Sequence, residues 1–120
     1  MISDAADMLT AAGLRLAPAG VEWDAVKVQR HLGVRAIELI AQPGAVAVDP
    51  ARREPMLYFF VPAGSTALWD VPQTTALGAD AHVVLPPDHK EGPPGPYWLI
   101  PHQHGLTPAD VLRQALEATQ

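Results

Sequence analysis

Apolar and polar positions along this chain change their period several times, and each change marks an element. Ser3-Asp4-Ala5-Ala6-Asp7-Met8-Leu9 reads as a capped helix start, with Ser3 accepting from free amides and two aspartates near the positive end; Gly13 stops it. Leu14 to Pro18 alternates as a short strand and Ala19-Gly20 turns the chain. Val21 to Val28 alternates again, with Trp23, Ala25 and Val28 set against Glu22, Asp24 and Lys27. From Gln29 to Gln42 the period becomes helical. Leu32, Ala36, Ile37, Leu39 and Ile40 recur at spacings of three and four, while Arg30, Arg35 and Glu38 fall elsewhere. Gly33 weakens this helix by about 1 kcal/mol relative to alanine, and Pro43-Gly44 ends it.

The second half reads mainly as strands. Ala45-Val46-Ala47-Val48 closes at Asp49-Pro50, and Met56 to Val61 is the strongest strand signal in the chain. The short polar turn between them predicts a hairpin. Thr74 to Leu77, Ala81 to Leu85 and Tyr97 to Ile100 are three further short strands, and Asp88 to Pro96 is a loop by composition. Thr107-Pro108-Ala109-Asp110 predicts a helix start, with threonine as cap and proline in the first position. Val111, Leu112, Ala115 and Leu116 then form its apolar stripe. Most strand connections are too short for helical crossovers. The expected fold is a single compact α+β domain over residues 1–120, with a mostly antiparallel or mixed sheet of five to six strands and two or three helices.

Composition agrees. Apolar residues make up 48% and charged residues 18%, enough burial to offset the entropy of ordering one domain. Thirteen prolines, placed singly or in pairs between apolar runs, imply short elements with stiff connections. The chain has no cysteine, hence no disulfide and no thiolate ligand or nucleophile. Met1-Ile2-Ser3-Asp4 lacks the basic start of a signal peptide, and no apolar stretch has membrane-spanning length. The expected location is the cytoplasm, with no membrane partner.

The net charge of −5 argues against nucleic acid as the main partner. The charges are uneven, however: Lys27, Arg30, Arg35, Arg52 and Arg53 face only Glu38 and Asp49 between residues 27 and 53. Lys27, Arg30, Arg52 and Arg53, with Trp69, are therefore the candidate interaction surface. Nucleic acid or a nucleotide on this basic segment is one alternative. Trp98 is expected in the core. Trp69, beside Asp70, reads either as core or as a half-exposed anchor for a protein partner. The high apolar fraction also suits a homodimer.

No catalytic motif is intact. Ser3 and Ser65 lie outside any G-x-S-x-G elbow, there is no glycine-rich phosphate loop, and Asp49, Asp70, Asp80 and Asp88 are scattered. His102-Gln103-His104 would put two imidazoles on one side of an extended segment. A metal needs further ligands, for which Asp49, Asp88, His82 and His89 are weak candidates that no spacing recommends. No cofactor is expected. A small enzyme whose groups meet only in three dimensions, around Asp49, His89 and His102, is a further alternative.

From Gly44 onward the motif order resembles the N-terminal primase/polymerase domain of bifunctional replication proteins. In that family a strand ends in an Asp-x-Asp pair before proline; here Ala47-Val48-Asp49-Pro50 keeps only the second acid. Met56-Leu57-Tyr58-Phe59 stands where the family has its His-x-Tyr-Phe run. Val83-Val84-Leu85-Pro86-Pro87-Asp88 matches the run leading into Pro-Pro-Ser, with Asp88 in place of serine, and Gly95-Pro96-Tyr97-Trp98 echoes the last segment. The resemblance covers about 55 residues. It implies a degenerate domain, since Ala47 and Met56 remove a metal-holding acid and a phosphate-steadying histidine. The chain is also similar to small uncharacterised actinobacterial proteins sharing a Trp-Asp-Ala-Val segment, here Trp23 to Val26. The function these readings imply is a non-catalytic interaction or regulatory module.

Overall fold

The computed structural model describes residues 14–50 and 53–120, together with the backbone of Met8 and Leu9. In chain order its elements are β1 (Met8–Leu9), β2 (Arg15–Pro18), β3 (Trp23–Gln29), α1 (Arg30–Glu38), β4 (Val46–Asp49), β5 (Met56–Pro62), β6 (Thr74–Leu77), β7 (His82–Leu85), β8 (Tyr97–Ile100) and α2 (Ala109–Ala118). A single 3-10 turn, His102–His104, separates β8 from α2. Five strands form the main sheet in the order β6-β3-β5-β4-β8, and β1-β2-β7 form a separate sheet of three. Every pairing is antiparallel. The radius of gyration, 13.3 Å, matches the ~13–14 Å of a compact domain this long.

Successive residues of a strand face opposite sides of its sheet, and the main sheet is covered on both. Val26 and Val28 of β3, Val46 and Val48 of β4, and Leu57, Phe59 and Val61 of β5 pack against Leu32 and Ala36 of α1 and Leu112 and Leu116 of α2. The alternate residues Ala25, Ala45, Ala47, Phe60 and Trp98 pack instead against Ala17, Val83 and Leu85 of the small sheet. At 45–48 the valines therefore meet the helices and the alanines meet the second sheet, where Phe60 and Trp98 supply the bulk.

This double cover corrects the reading of β3. Asp24, expected on a polar face, is 1% exposed. Its Oδ2 accepts the backbone N–H groups of Gly64 (3.0 Å) and Thr66 (3.2 Å) and the Thr66 hydroxyl (2.6 Å), which fixes the turn after β5.

Three boundaries differ from the expectation. Met8 and Leu9, assigned to a first helix, pair with Leu16 and Arg15 as a strand; the rest of that helix lies outside the described residues. An isolated short helix is marginal, and pairing offers these two residues ladder hydrogen bonds instead. The second helix ends at Glu38 rather than Gln42. Leu39 and Ile40 N–H donate to carbonyls three residues back, tightening the last turn, and Leu39 is left 59% exposed. Thr107 does not cap α2, whose N-cap is Pro108 with no side-chain capping bond. The buried Thr107 Oγ1 accepts instead from Gly44 N–H at 2.9 Å, tying the start of the last helix to the turn before β4.

Candidate functional site

Two cavities open between the sheets and share no residue. The first, about 300 Å³, is lined by Lys27 of β3, Ala47 and Asp49 of β4, Tyr58 of β5, His82 of β7 and Pro96 of the following loop. Its polar groups come from four strands of both sheets. Alternation explains why they meet. Lys27 lies directly across from Tyr58, and Tyr58 from Ala47. Directly opposed residues project to one face, here the one turned toward the small sheet. Ala47 and Asp49, two positions apart on β4, share it, and Met56 sits directly opposite Asp49. Among the described residues Lys27 has no ion-pair partner. A half-buried ammonium in that position favours an anion on the same wall.

The second cavity, about 200 Å³, is lined by aromatic rings: Trp23 of β3, Phe60 of β5, Trp98 of β8 and His102, with Arg15 of β2 and Leu85 of β7 across from them. Trp23 and Phe60 meet edge to face with centroids 5.0 Å apart. Phe60–Trp98 and Trp98–His102 follow at 5.9 and 5.8 Å.

The remaining candidates do not gather. Arg30 borders an open groove at the start of α1 with His31, Arg35 and Glu54, apart from the cavity that takes Lys27. Arg53 is exposed in the turn before β5, and Arg52 lies outside the described residues. Trp69 is committed within the molecule. Its Nε1–H donates to Thr74 Oγ1 at 2.8 Å, and the Arg113 guanidinium lies 5.3 Å from the ring centroid. Arg113 is held in turn by Asp70 at 2.7 Å, a hydrogen bond that raises the arginine further above its ordinary range.

His102 and His104 do not act together. They sit in a 3-10 turn, not an extended segment, and line different cavities: His102 the aromatic one, His104 a groove beside Pro43 and Leu106. Residues two apart in such a turn point about 120° from each other. Asp88 reaches only to 3.8 Å from His102 Nε2. His89 is exposed and lines neither inter-sheet cavity, so Asp49, His89 and His102 are not brought to one pocket. Among the described residues no three histidines or carboxylates are placed to hold a metal ion, and no helix is long and apolar enough to cross a membrane. The sequence reading missed the aromatic cavity and the part Tyr58 plays, because the strands that meet there are distant in sequence.

Compared with protein-family models, curated proteins and solved structures, the chain matches none.

Proposed function

We propose that the chain is a non-catalytic binding module, a primase/polymerase-like domain that has lost its metal site and holds a phosphate-bearing ligand in the polar cleft between its sheets. The observation that carries this is one face of the central hairpin, where Ala47, Asp49 and Met56 are immediate neighbours. These are the positions at which the resembled family has its acid pair and its histidine. Holding divalent metals over a triphosphate takes at least two carboxylates. With alanine at 47 and methionine at 56, transfer chemistry fails while the cleft persists, bordered by Lys27, Tyr58 and His82. A ligand held without turnover is the behaviour of a regulatory module, read out by a protein partner.

Isothermal titration with ATP and with inorganic triphosphate, with and without magnesium, tests the reading. Binding of both is expected, little changed by magnesium, and weakened ~10-fold or more in Lys27→Ala, as the loss of a charge-assisted bond implies. Absence of heat with either ligand at millimolar concentration removes the proposal. Stoichiometric magnesium or manganese uptake that vanishes in Asp49→Ala would replace it with an active site.

A second reading has its own support in the groove at α1, where Arg30, Arg35 and the nearby Arg53 have no ion-pair partner among the described residues. Such a surface would take nucleic acid, with affinity falling steeply as salt rises. Retention of a duplex or single strand at low salt, lost in Arg30→Ala/Arg35→Ala, would favour it over the cleft.

A further inference from the structure

One wall of the polar cleft is a strand edge. His82, Val83 and Val84 of β7 all line it, although successive side chains of a strand point to opposite faces. Three consecutive residues border one space where the strand presents its backbone edge to it. β7 is the outermost strand of the small sheet and pairs with β2 alone.

The ladder fixes which backbone groups lie on that edge. Ala19 N–H donates to Ala81 O at 2.8 Å, one step beyond the Pro18–His82 pair. Bonded and non-bonded positions alternate in an antiparallel pair. Val83 and Leu85 therefore turn their N–H and C=O groups toward β2, and His82 and Val84 turn theirs away from it. Among the described residues no hydrogen bond reaches these groups of His82 and Val84. Both residues are exposed, Val84 by 41%. The strand has no bulge, proline, lysine or acid to guard its edge. The outer edge of β8 differs, because Lys90 O takes the Trp98 N–H there at 2.8 Å.

A strand added beside β7, about 4.8 Å away, would lie over Lys27, Ala47 and Tyr58 on the floor of the cleft. The β7 of a second copy does not suit that place. It is already backed by its own main sheet through Val83 and Leu85, and the two main sheets would collide. Directly opposed residues share a face. The residue opposite Val83 would point into the cleft, and those opposite His82 and Val84 would point outward, beside Val84 and Leu16. Lys27 has no ion-pair partner among the described residues, so the inward residue is best an acid and its neighbours apolar.

We propose that β7 and the cleft take an extended segment of a protein partner, which adds to the small sheet as an antiparallel fourth strand. Its backbone bonds to His82 and Val84, and an acidic side chain between two apolar residues reaches Lys27. This does not rest on phosphate binding. The segment shares Lys27 with that ligand, so the two exclude each other.

Fluorescence anisotropy of a labelled Thr-Val-Glu-Val-Thr peptide with the whole chain tests the proposal. Binding is expected with Kd on the order of 100 μM, and ~10-fold more weakly when the peptide's glutamate is replaced by glutamine. Lys27→Ala should remove that difference. Val84→Pro deletes an outward N–H at an edge position that tolerates proline, and should abolish binding. If that variant does not fold, N-methylation of both peptide valines blocks the same ladder on the wild-type chain and should do likewise. No binding at about 1 mM peptide would overturn the proposal, as would equal binding of the N-methylated peptide or of the glutamine peptide. A dimer in sedimentation that Val84→Pro dissolves would give the edge to a second copy instead. Failure of the peptide with ATP still bound removes this inference alone.

Discussion

The Thr66 hydroxyl donates to Asp24 Oδ2 at 2.6 Å across 42 positions of sequence, and both residues are buried. The same oxygen takes two backbone N–H groups, so one carboxylate holds the turn from Gly64 to Thr66 against β3. Asp24 Oδ1 has no partner among the described residues. The latch therefore works through a single oxygen.

Removing that oxygen leaves three donors unmatched. Asp24→Ala should destabilise the fold by ~2–4 kcal/mol and Thr66→Val by ~1–2 kcal/mol, read from urea denaturation midpoints. The double variant should cost less than the sum, because the two changes break the same bond. Strict additivity would show that the turn is held by something else.

Gly33 offers a case in which propensity and packing predict opposite signs. Alanine is the better helix former by about 1 kcal/mol. A Cβ at 33 would, however, lie 2.5 Å from Leu57 Cδ1 and 3.2 Å from Val28 Cγ1, and Leu57 is fully buried. Gly33→Ala should lower stability by ~1–3 kcal/mol, and the same change should cost less when made in a Leu57→Ala background, where the clash is gone. A raised melting temperature in Gly33→Ala alone would mean that α1 does not sit this close to β5.

Thr107 should respond to chemistry rather than to size. Thr107→Val leaves the buried Gly44 N–H without its acceptor and should cost ~1–3 kcal/mol, while Thr107→Ser should cost clearly less. Gly44→Ala should be worse than either, since its Cβ would fall 2.6 Å from Gly105 O and 2.7 Å from Leu106 C. Thermal melts of the three variants give the order.

Arg113 spans Asp70, Glu117 and the Trp69 ring, yet its side chain is one-third exposed and both carboxylates lie in solvent. Arg113→Ala should shift the fluorescence of Trp69 and leave the melting temperature near that of the wild type, because exposed ion pairs contribute little. A large drop in melting temperature would contradict the exposed placement of this network.

The hairpin of β4 and β5, the strands β6, β7 and β8, and the stripe of α2 were legible because local alternation or helical spacing agrees with what packing demands of them. Asp24 was not, because a buried carboxylate and a solvated one look alike in an alternating strand; only the donors brought in from the turn at 64–66 distinguish them. Thr107-Pro108 carries a sound helix-start signal, and the competing acceptor need of Gly44, 63 positions away, overrode it. Lys27, Asp49 and His82 were all visible as candidates. That three of them share one cleft with Tyr58 depends on strand register between two sheets, which no local pattern encodes.

β4 sends its two valines to the helices and the neighbouring alanines to the second sheet. Exchanging Ala47 and Val48 would leave amino-acid content, mass, side-chain volume and mean hydropathy all unchanged. It would nonetheless put a branched side chain on the wall of the polar cleft and open a void beneath the helices. What fills each side of the sheet is thus written in the order of two residues that differ by two methyl groups.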